Sequence, residues 1–239
     1  MGSKQKLGKS VLPFVIIGGV LAIAVGGGAL LFRSAKQPAS PTPKPASPTS
    51  KTAATTSSTG LIGAKPPHAK GSESAPVVLE EFGDFECPPC GMFYPQLKKL
   101  EADYGPDKLR VVFRQFPLPT IHKHAMISAY AAEAAGFQGR FWEMYDKLYT
   151  DQATWSKAPD PRTFFLDYAR DIGLDVPRFV QDMSSPEADS RVMFDRQRGM
   201  SIGVVGTPTI FVNGRMLTPE TTDKQLRDMI DAGIKSGGK

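Results

Sequence analysis

Metal-ligating side chains are scarce in this 239-residue sequence, which has two cysteines and three histidines. A structural zinc site needs four ligands of this kind, and Cys87 and Cys90 supply only two. His68 lies in a proline-rich tract, while His122 and His124 are two positions apart and would point to different faces of a helix. Two cysteines also exclude a framework of several disulfides. We therefore expect no zinc site and no bound cofactor, and we interpret the cysteines as a pair.

Acidic residues are nearly missing from the first 75 positions. This part of the chain has nine Lys or Arg and one acid, Glu73, for a net charge of +8. The whole chain carries +5, which leaves −3 for residues 76–239. The basic character belongs to the N-terminal part alone, so the sequence does not indicate a nucleic-acid-binding protein.

The two cysteines stand where a strand gives way to a helix. An apolar run from Val77 to Phe82 predicts a buried strand, and the chain continues to the second cysteine as G-D-F-E-C-P-P-C. Proline suits the first helical turn, where its missing N–H has no partner. A helix N-terminus favours an anion, so it stabilises a thiolate at Cys87. Cys90 is close enough to form a disulfide with it, which makes Cys87 the predicted nucleophile and Cys90 the resolving thiol.

An uncharged stretch of 22 residues, Val11 to Phe32, is long enough to cross a bilayer. A cleaved signal peptide is the alternative, with small residues at 27–29, but its apolar core spans only roughly 7 to 15 residues. We therefore expect a transmembrane anchor at 11–32 in contact with the lipid bilayer. Basic residues flank both ends and do not decide its orientation.

A dithiol oxidant is most useful outside the cytosol, and this consideration sets the expected orientation. Residues 1–10 are then cytoplasmic, and the protein spans the bacterial cytoplasmic membrane once. Its catalytic domain lies on the extracytoplasmic side, in the periplasm or at the cell wall.

Composition divides the rest of the chain into a linker and a folded domain. Residues 33–75 are rich in Pro, Ser and Thr, which predicts a disordered linker. The folded domain is predicted at 76–237, beginning with a strand, a helix and a strand. Helical periodicity over about 118–199 predicts a helical insertion whose aromatic stripes form a core. Two strands around Asn213-Gly214 and a helix from Thr222 to Ile234 complete an α/β fold of a βαβ unit and a ββα unit.

Residues 76–235 resemble the DsbA-like branch of the thioredoxin superfamily. The resemblance rests on the C-P-P-C after a strand, on F-Q-G-R-F-W at 137–142, and on G-V-V-G-T-P-T-I-F-V-N-G at 203–214. It implies a thioredoxin-like fold with a helical insertion and thiol:disulfide oxidoreductase activity. No dimerisation segment is evident, so we expect a monomer.

The resemblance also implies roles for three residues outside the cysteine pair. Pro208 is similar to the family's cis-proline, which stands against the disulfide. Thr207 would then present its backbone to an extended substrate chain. Glu81 lies six residues before Cys87, where the superfamily has a buried acid, and it would relay a proton to or from Cys90. An ordinary trans-proline turn and a solvent-facing glutamate are the alternatives.

One position departs from the family pattern. A typical DsbA has a histidine before its second cysteine, whereas this chain has Pro89. The Cys87 thiolate therefore lacks one backbone donor and a nearby imidazole. Because a stabilised reduced form is what makes DsbA a strong oxidant, we expect a less oxidising couple here.

The predicted function is a membrane-tethered thiol:disulfide oxidoreductase that introduces disulfides into reduced or misoxidised exported proteins. With no third cysteine, reoxidation requires a partner, which by resemblance is a quinone-linked membrane protein of the DsbB or VKOR type. A thiol reductase or disulfide isomerase uses the same chemistry and remains an alternative. A chaperone-like peptide-binding module is the alternative of another class.

Overall fold

Five strands and eight helices follow one another along residues 61–237, the part of the chain that this computed structural model describes. In chain order they are β1 (His68–Lys70), β2 (Val77–Gly83), α1 (Pro88–Tyr104), β3 (Leu109–Gln115), α2 (Ala125–Gly136), α3 (Phe141–Thr150), α4 (Gln152–Trp155), α5 (Arg162–Asp171), α6 (Val176–Asp182), α7 (Pro186–Ser201), β4 (Thr209–Val212), β5 (Arg215–Met216) and α8 (Asp223–Lys235). The predicted transmembrane segment at 11–32 lies outside the described residues. No helix among residues 61–237 is long and apolar enough to span a membrane.

The strands form one mixed sheet in the order β1-β3-β2-β4-β5. Strand β2 is central, parallel to β3 and antiparallel to β4, and its side chains are mostly buried because both of its neighbours and both faces are covered. Strands β1 and β5 are the edges, each antiparallel to its neighbour. The polar Glu81 lies in β2 between Phe113 and Ile210, so a carboxyl group is placed in the middle of the sheet.

Two apolar clusters hold the layers together. One joins the sheet to α1 and α8 through Leu97, Leu100, Leu226 and Ile230. The other fills the space between the sheet and helices α2 to α6, and its aromatic members include Phe85, Phe113, Tyr145, Tyr149 and Trp155. The aromatic stripes of the insertion are therefore core, as the helical spacing predicts. The two cysteines belong to this second cluster.

The thioredoxin-like α/β arrangement predicted from the sequence is present, and several bounds agree to the residue. The sequence predicts a helix from Pro88 to about Tyr104 and strands at Leu109–Gln115 and Thr209–Val212, and α1, β3 and β4 have these bounds. Strand β2 continues one residue beyond its predicted end, to Gly83. Helix α8 begins at Asp223, where Thr222 caps it in a reciprocal arrangement with Gln225.

The N-terminal boundary of the domain differs from the prediction. Residues 33–75 are predicted as a disordered linker, yet β1 pairs with β3 within this range and Ala64 is buried. The backbone N–H of Ala64 donates to Asp195 Oδ1 at 2.8 Å, and its carbonyl accepts from Arg114 Nη1 at 2.9 Å. A short edge strand held by polar side chains far away in the sequence has no hydrophobic periodicity, so composition alone misses it.

Strand β1 is also fastened by a buried ion cluster. Glu133 on α2 is fully buried and contacts His68 Nε2 at 2.9 Å and Arg191 Nε at 2.6 Å, while Gln115 Nε2 donates to it at 3.0 Å. Burial by itself raises the pKa of Glu133, but the hydrogen bonds and charges of His68 and Arg191 outweigh it, and the pKa is lowered from 4.5. Arg191 also donates to the carbonyl of Lys65, which ties α7 to the segment before β1.

Replacing Arg191 with leucine should therefore destabilise the protein. The substitution leaves the Glu133 charge buried with one fewer partner, at a cost of about 3 kcal/mol. The matched control is Arg178→Leu, because the Arg178 side chain is 55% exposed in its pair with Asp182, and its loss should change stability by less than about 0.5 kcal/mol. Urea denaturation of both variants measures the difference, and equal midpoints would contradict this assignment.

Candidate active site

The two cysteines lie at the start of α1, where the loop after β2 turns into the helix. Cys87 is the N-cap residue with extended backbone angles, and Pro88 and Pro89 follow in the first turn. Both thiols are free and buried, with exposed fractions of 3% for Cys87 and 0% for Cys90. The predicted nucleophile is thus placed at the helix N-terminus, where unpaired N–H groups favour an anion.

Contacts from Cys90 and Thr207 lower the pKa of Cys87 to about 6 from an ordinary 9.0. The largest contribution is the hydrogen bond from the Cys90 thiol, which outweighs the opposing effect of burial. Thr207 and the backbone N–H of Cys90 make smaller contributions that lower the pKa of Cys87 further. Because Pro88 and Pro89 have no N–H, the donors from the first turn are limited to those of Cys90.

Cys90 behaves in the opposite way. Burial, its hydrogen bond to Cys87 and the nearby carboxyl of Glu81 raise its pKa well above 9.0. The pair therefore consists of one thiol that ionises readily and one that holds its proton. This asymmetry agrees with the predicted roles of Cys87 as the attacking or leaving thiolate and of Cys90 as its protonated partner, which remain predictions.

The segment before β4 faces Cys87, as the sequence resemblance implies. The Thr207-Pro208 peptide bond is cis. The Cys87 thiol donates to the Thr207 carbonyl oxygen at 3.3 Å, which places the backbone next to Pro208 against the sulfur. The structure thus brings together Cys87, Cys90, Thr207 and Pro208 from two distant parts of the sequence.

Glu81 is buried near the pair, with 1% of its surface exposed. Tyr145 Oη donates to its Oε2 at 3.4 Å, while its Oε1 has no partner among the described residues. Burial raises its pKa from 4.5 to about 8, against the opposing effect of the Tyr145 hydrogen bond. The side chain faces the interior and not water, but its role as a proton relay remains a prediction.

Sequence reasoning missed Gln152 and Asp84, which fix the loop that carries Cys87. Gln152 Nε2 donates to the carbonyls of Phe85 at 2.7 Å and Cys87 at 2.9 Å. A Cβ atom at Gly91 would come within 2.3 Å of Gln152 Oε1, so glycine leaves room for this side chain. Asp84 is buried, and its carbonyl accepts the N–H of Cys87 at 3.1 Å. Only the D in the G-D-F-E-C-P-P-C run offered a signal for either residue.

Exposed apolar side chains lie next to the active-site segments in the sequence. Met92 is 71% exposed two residues after Cys90, and Val205 is 93% exposed two residues before Thr207. Phe93, in contrast, packs against the cluster between the sheet and α8. Met92 is therefore available to a bound peptide, whereas Phe93 packs against the core.

Comparison with known proteins places this arrangement in a family. The thioredoxin family model matches residues 64–232, most of the described chain. The chain therefore belongs to the thioredoxin family.

Two solved structures illustrate the likeness. A thioredoxin-like oxidoreductase from Silicibacter pomeroyi is 26% identical with a TM-score of 0.59, over 71% of this chain and 92% of that one. Oxidised BdbD from Bacillus subtilis is 22% identical with a TM-score of 0.63, over 71% of this chain and 93% of that one. The second comparison supports the fold alone.

A curated relative from Salinispora arenicola is 40% identical over 148 residues, which is 62% of this chain. That protein is named a Na⁺/H⁺ antiporter, and the match spans only 22% of its length. This comparison overturns the predicted localisation, a single-pass membrane protein with an extracytoplasmic domain. The prediction relied on an apolar run and on the usual compartment of disulfide chemistry, and it did not consider that this domain is also part of much longer proteins with other names.

Glu81 should leave a signature in the pH dependence of stability. Between pH 4.5 and about pH 8 the folded protein keeps the Glu81 proton while the unfolded chain loses it, so folding becomes less favourable as the pH rises. The slope is up to about 1.4 kcal/mol per pH unit. The Glu81→Gln variant lacks this slope, so its stability relative to wild type should rise over that range and level off above it. Urea denaturation at several pH values measures this, and parallel profiles would contradict a raised pKa at Glu81.

Proposed function

We propose that this chain donates a Cys87-Cys90 disulfide to reduced or misoxidised proteins. The observation that supports this direction is the low pKa of Cys87, about 6, beside a buried Cys90 that keeps its proton. A stabilised thiolate favours the reduced form of the pair, which makes its disulfide a better oxidant. The buried, high-pKa carboxyl of Glu81 next to Cys90 supports proton transfer during the exchange.

The exchange proceeds through a mixed disulfide. A substrate thiolate attacks Sγ of the oxidised Cys87, the Cys87-Cys90 bond breaks, and Cys90 leaves as a thiolate that takes up a proton. A second substrate thiolate then attacks the substrate sulfur of the mixed disulfide and releases Cys87 as a thiolate. The substrate gains a disulfide and loses two electrons, which the enzyme retains as a dithiol. The low pKa of Cys87 makes it a good leaving group in the second step.

The substrate chain is proposed to lie along the segment that faces Cys87. The backbone of Thr207, which lies just before β4 and opposite the sulfur, supports pairing with an extended peptide. Met92 and Val205 supply exposed apolar surface for side chains that flank the substrate cysteine. This mode of binding is tolerant of sequence, which suits an enzyme with many protein substrates.

The reduced enzyme needs an electron acceptor. Cys87 and Cys90 are the only cysteines in the sequence, so the electrons cannot pass to a further thiol within the chain. A quinone-linked reoxidase of the DsbB or VKOR type, the partner implied by the family resemblance, would complete the cycle.

A reductase role has one specific observation in its favour. Pro89 stands where a typical DsbA has a histidine, so the Cys87 thiolate has fewer donors and its couple is expected to be less oxidising than that of DsbA. Electrons supplied by a partner would then run the same exchange in reverse.

Variants of the two cysteines test the oxidase. The oxidised wild-type chain should transfer its disulfide to reduced, unfolded ribonuclease A, followed by thiol loss and recovered ribonuclease activity. Cys87→Ala should abolish transfer because it removes the attacked sulfur. Cys90→Ala, which keeps the Cys87 thiolate but no resolving thiol, should accumulate mixed disulfides with an oxidised substrate. Disulfide transfer to ribonuclease A by Cys87→Ala would contradict the proposal. So would a wild-type chain whose oxidised form fails to transfer its disulfide and whose reduced form rapidly reduces insulin.

A further inference from the structure

A buried charged residue beside the thiols takes no direct part in the exchange. Asp84 follows the end of β2, three residues before Cys87, and only 1% of it is exposed. Its backbone carbonyl accepts the N–H of Cys87 at 3.1 Å, so the main chain of Asp84 is bonded directly to the residue that carries the predicted nucleophile.

Three N–H groups hold the Asp84 carboxylate in one orientation. Oδ1 accepts from the backbone of Glu86 at 2.8 Å, and Oδ2 accepts from the backbone of Leu118 at 2.9 Å. His122 Nδ1 lies 2.8 Å from Oδ2. Because a carboxylate only accepts hydrogen bonds, the imidazole Nδ1 must carry the hydrogen in this contact. The cysteine loop and the segment before α2 are therefore joined at this one carboxylate.

A negative charge at Asp84 opposes the formation of another at Cys87. The carboxylate raises the pKa of Cys87, although the contacts from Cys90 and Thr207 exceed this effect and the pKa falls overall. The imidazole that donates to Asp84 draws charge away from the carboxylate and so weakens its effect on the thiolate. The side chain of His122 is 16% exposed, whereas that of Asp84 is fully buried.

We propose that Asp84 and His122 form a positioning pair that sets how strongly the active site stabilises the anion on Cys87. Asp84 opposes the thiolate, and the hydrogen bond from His122 limits that opposition. The inference rests on the proposed function for its biological meaning, since a more stable thiolate gives a more oxidising disulfide. Neither residue touches the substrate sulfur in the exchange.

Other ionisable groups surround the thiols and must be kept constant. Cys90 and Glu81 lie on α1 and β2, and Tyr149 on α3 approaches the Asp84 carbonyl at 3.5 Å. The Glu86 carboxylate accepts the backbone N–H of His124 and is thereby tied to the segment before α2. Substitutions confined to the positioning pair leave all four of these side chains in place.

The test is a double-mutant cycle on the reduced full-length chain. The thiolate absorbance of Cys87 in the ultraviolet is followed against pH for wild type, Asp84→Asn, His122→Phe and the double variant. Asp84→Asn should lower the midpoint by roughly half to one pH unit, because it removes the opposing charge at constant shape. His122→Phe should raise it, and in the Asp84→Asn background it should have no effect, because the charge it compensates is gone.

Opposite shifts separate this proposal from a merely structural role, because loss of packing would move both single variants in the same direction. His122→Asn supplies a rescue, since its amide N–H takes the place of Nδ1 and should restore the wild-type midpoint if His122→Phe perturbs folding. An unchanged midpoint in Asp84→Asn, or a His122→Phe shift that persists without Asp84, would overturn the proposal. The titration uses no substrate, so its outcome is independent of whether the chain acts as an oxidase.

Discussion

The active site depends on the stabilisation of one thiolate. Cys87 receives hydrogen bonds from the thiol and the backbone N–H of Cys90 at the start of α1, and these outweigh the cost of burial. Two further features near the sulfur maintain this asymmetry, whereas the Asp84 carboxylate opposes it. Burial keeps Cys90 protonated. The segment that contains Thr207, which is distant in the sequence, contacts the sulfur of Cys87.

The sheet provides the rigidity that this geometry requires. Strand β2 is central, so the loop that carries Cys87 extends from a segment whose backbone is bonded on both sides. Strand β4, antiparallel to β2, brings Pro208 to the same end of the sheet. The edge strand β1 adds a buried ion cluster around Glu133 that fastens α2 and α7 to the domain. The charged cluster around Glu133 thus has a structural role and includes neither cysteine.

The sequence allowed prediction of those parts that depend on local signals. Apolar runs, prolines and the Asn-Gly turn located β2, α1, β3 and β4, and the two motifs identified Cys87, Cys90 and Pro208. Strand β1 was missed because polar partners that are remote in the sequence, such as Glu133 and Arg191, hold its residue His68 in place. Asp84, His122 and Gln152 were missed for a related reason. Their roles depend on contacts between the loop after β2 and the segments before α2 and after α3. These segments are distant in the sequence, so no residue spacing predicts the contacts.

The equilibrium redox potential of the full chain against a glutathione buffer tests the central claim most directly. If the Cys87 thiolate is stabilised chiefly by Cys90 and Thr207, the potential should lie between those of thioredoxin, roughly −270 mV, and DsbA, roughly −120 mV. A value at or below that of thioredoxin would show that the thiolate gains no useful stabilisation and would make the chain a reductant. A value as high as that of DsbA would show that the loss of the imidazole at Pro89 has no consequence.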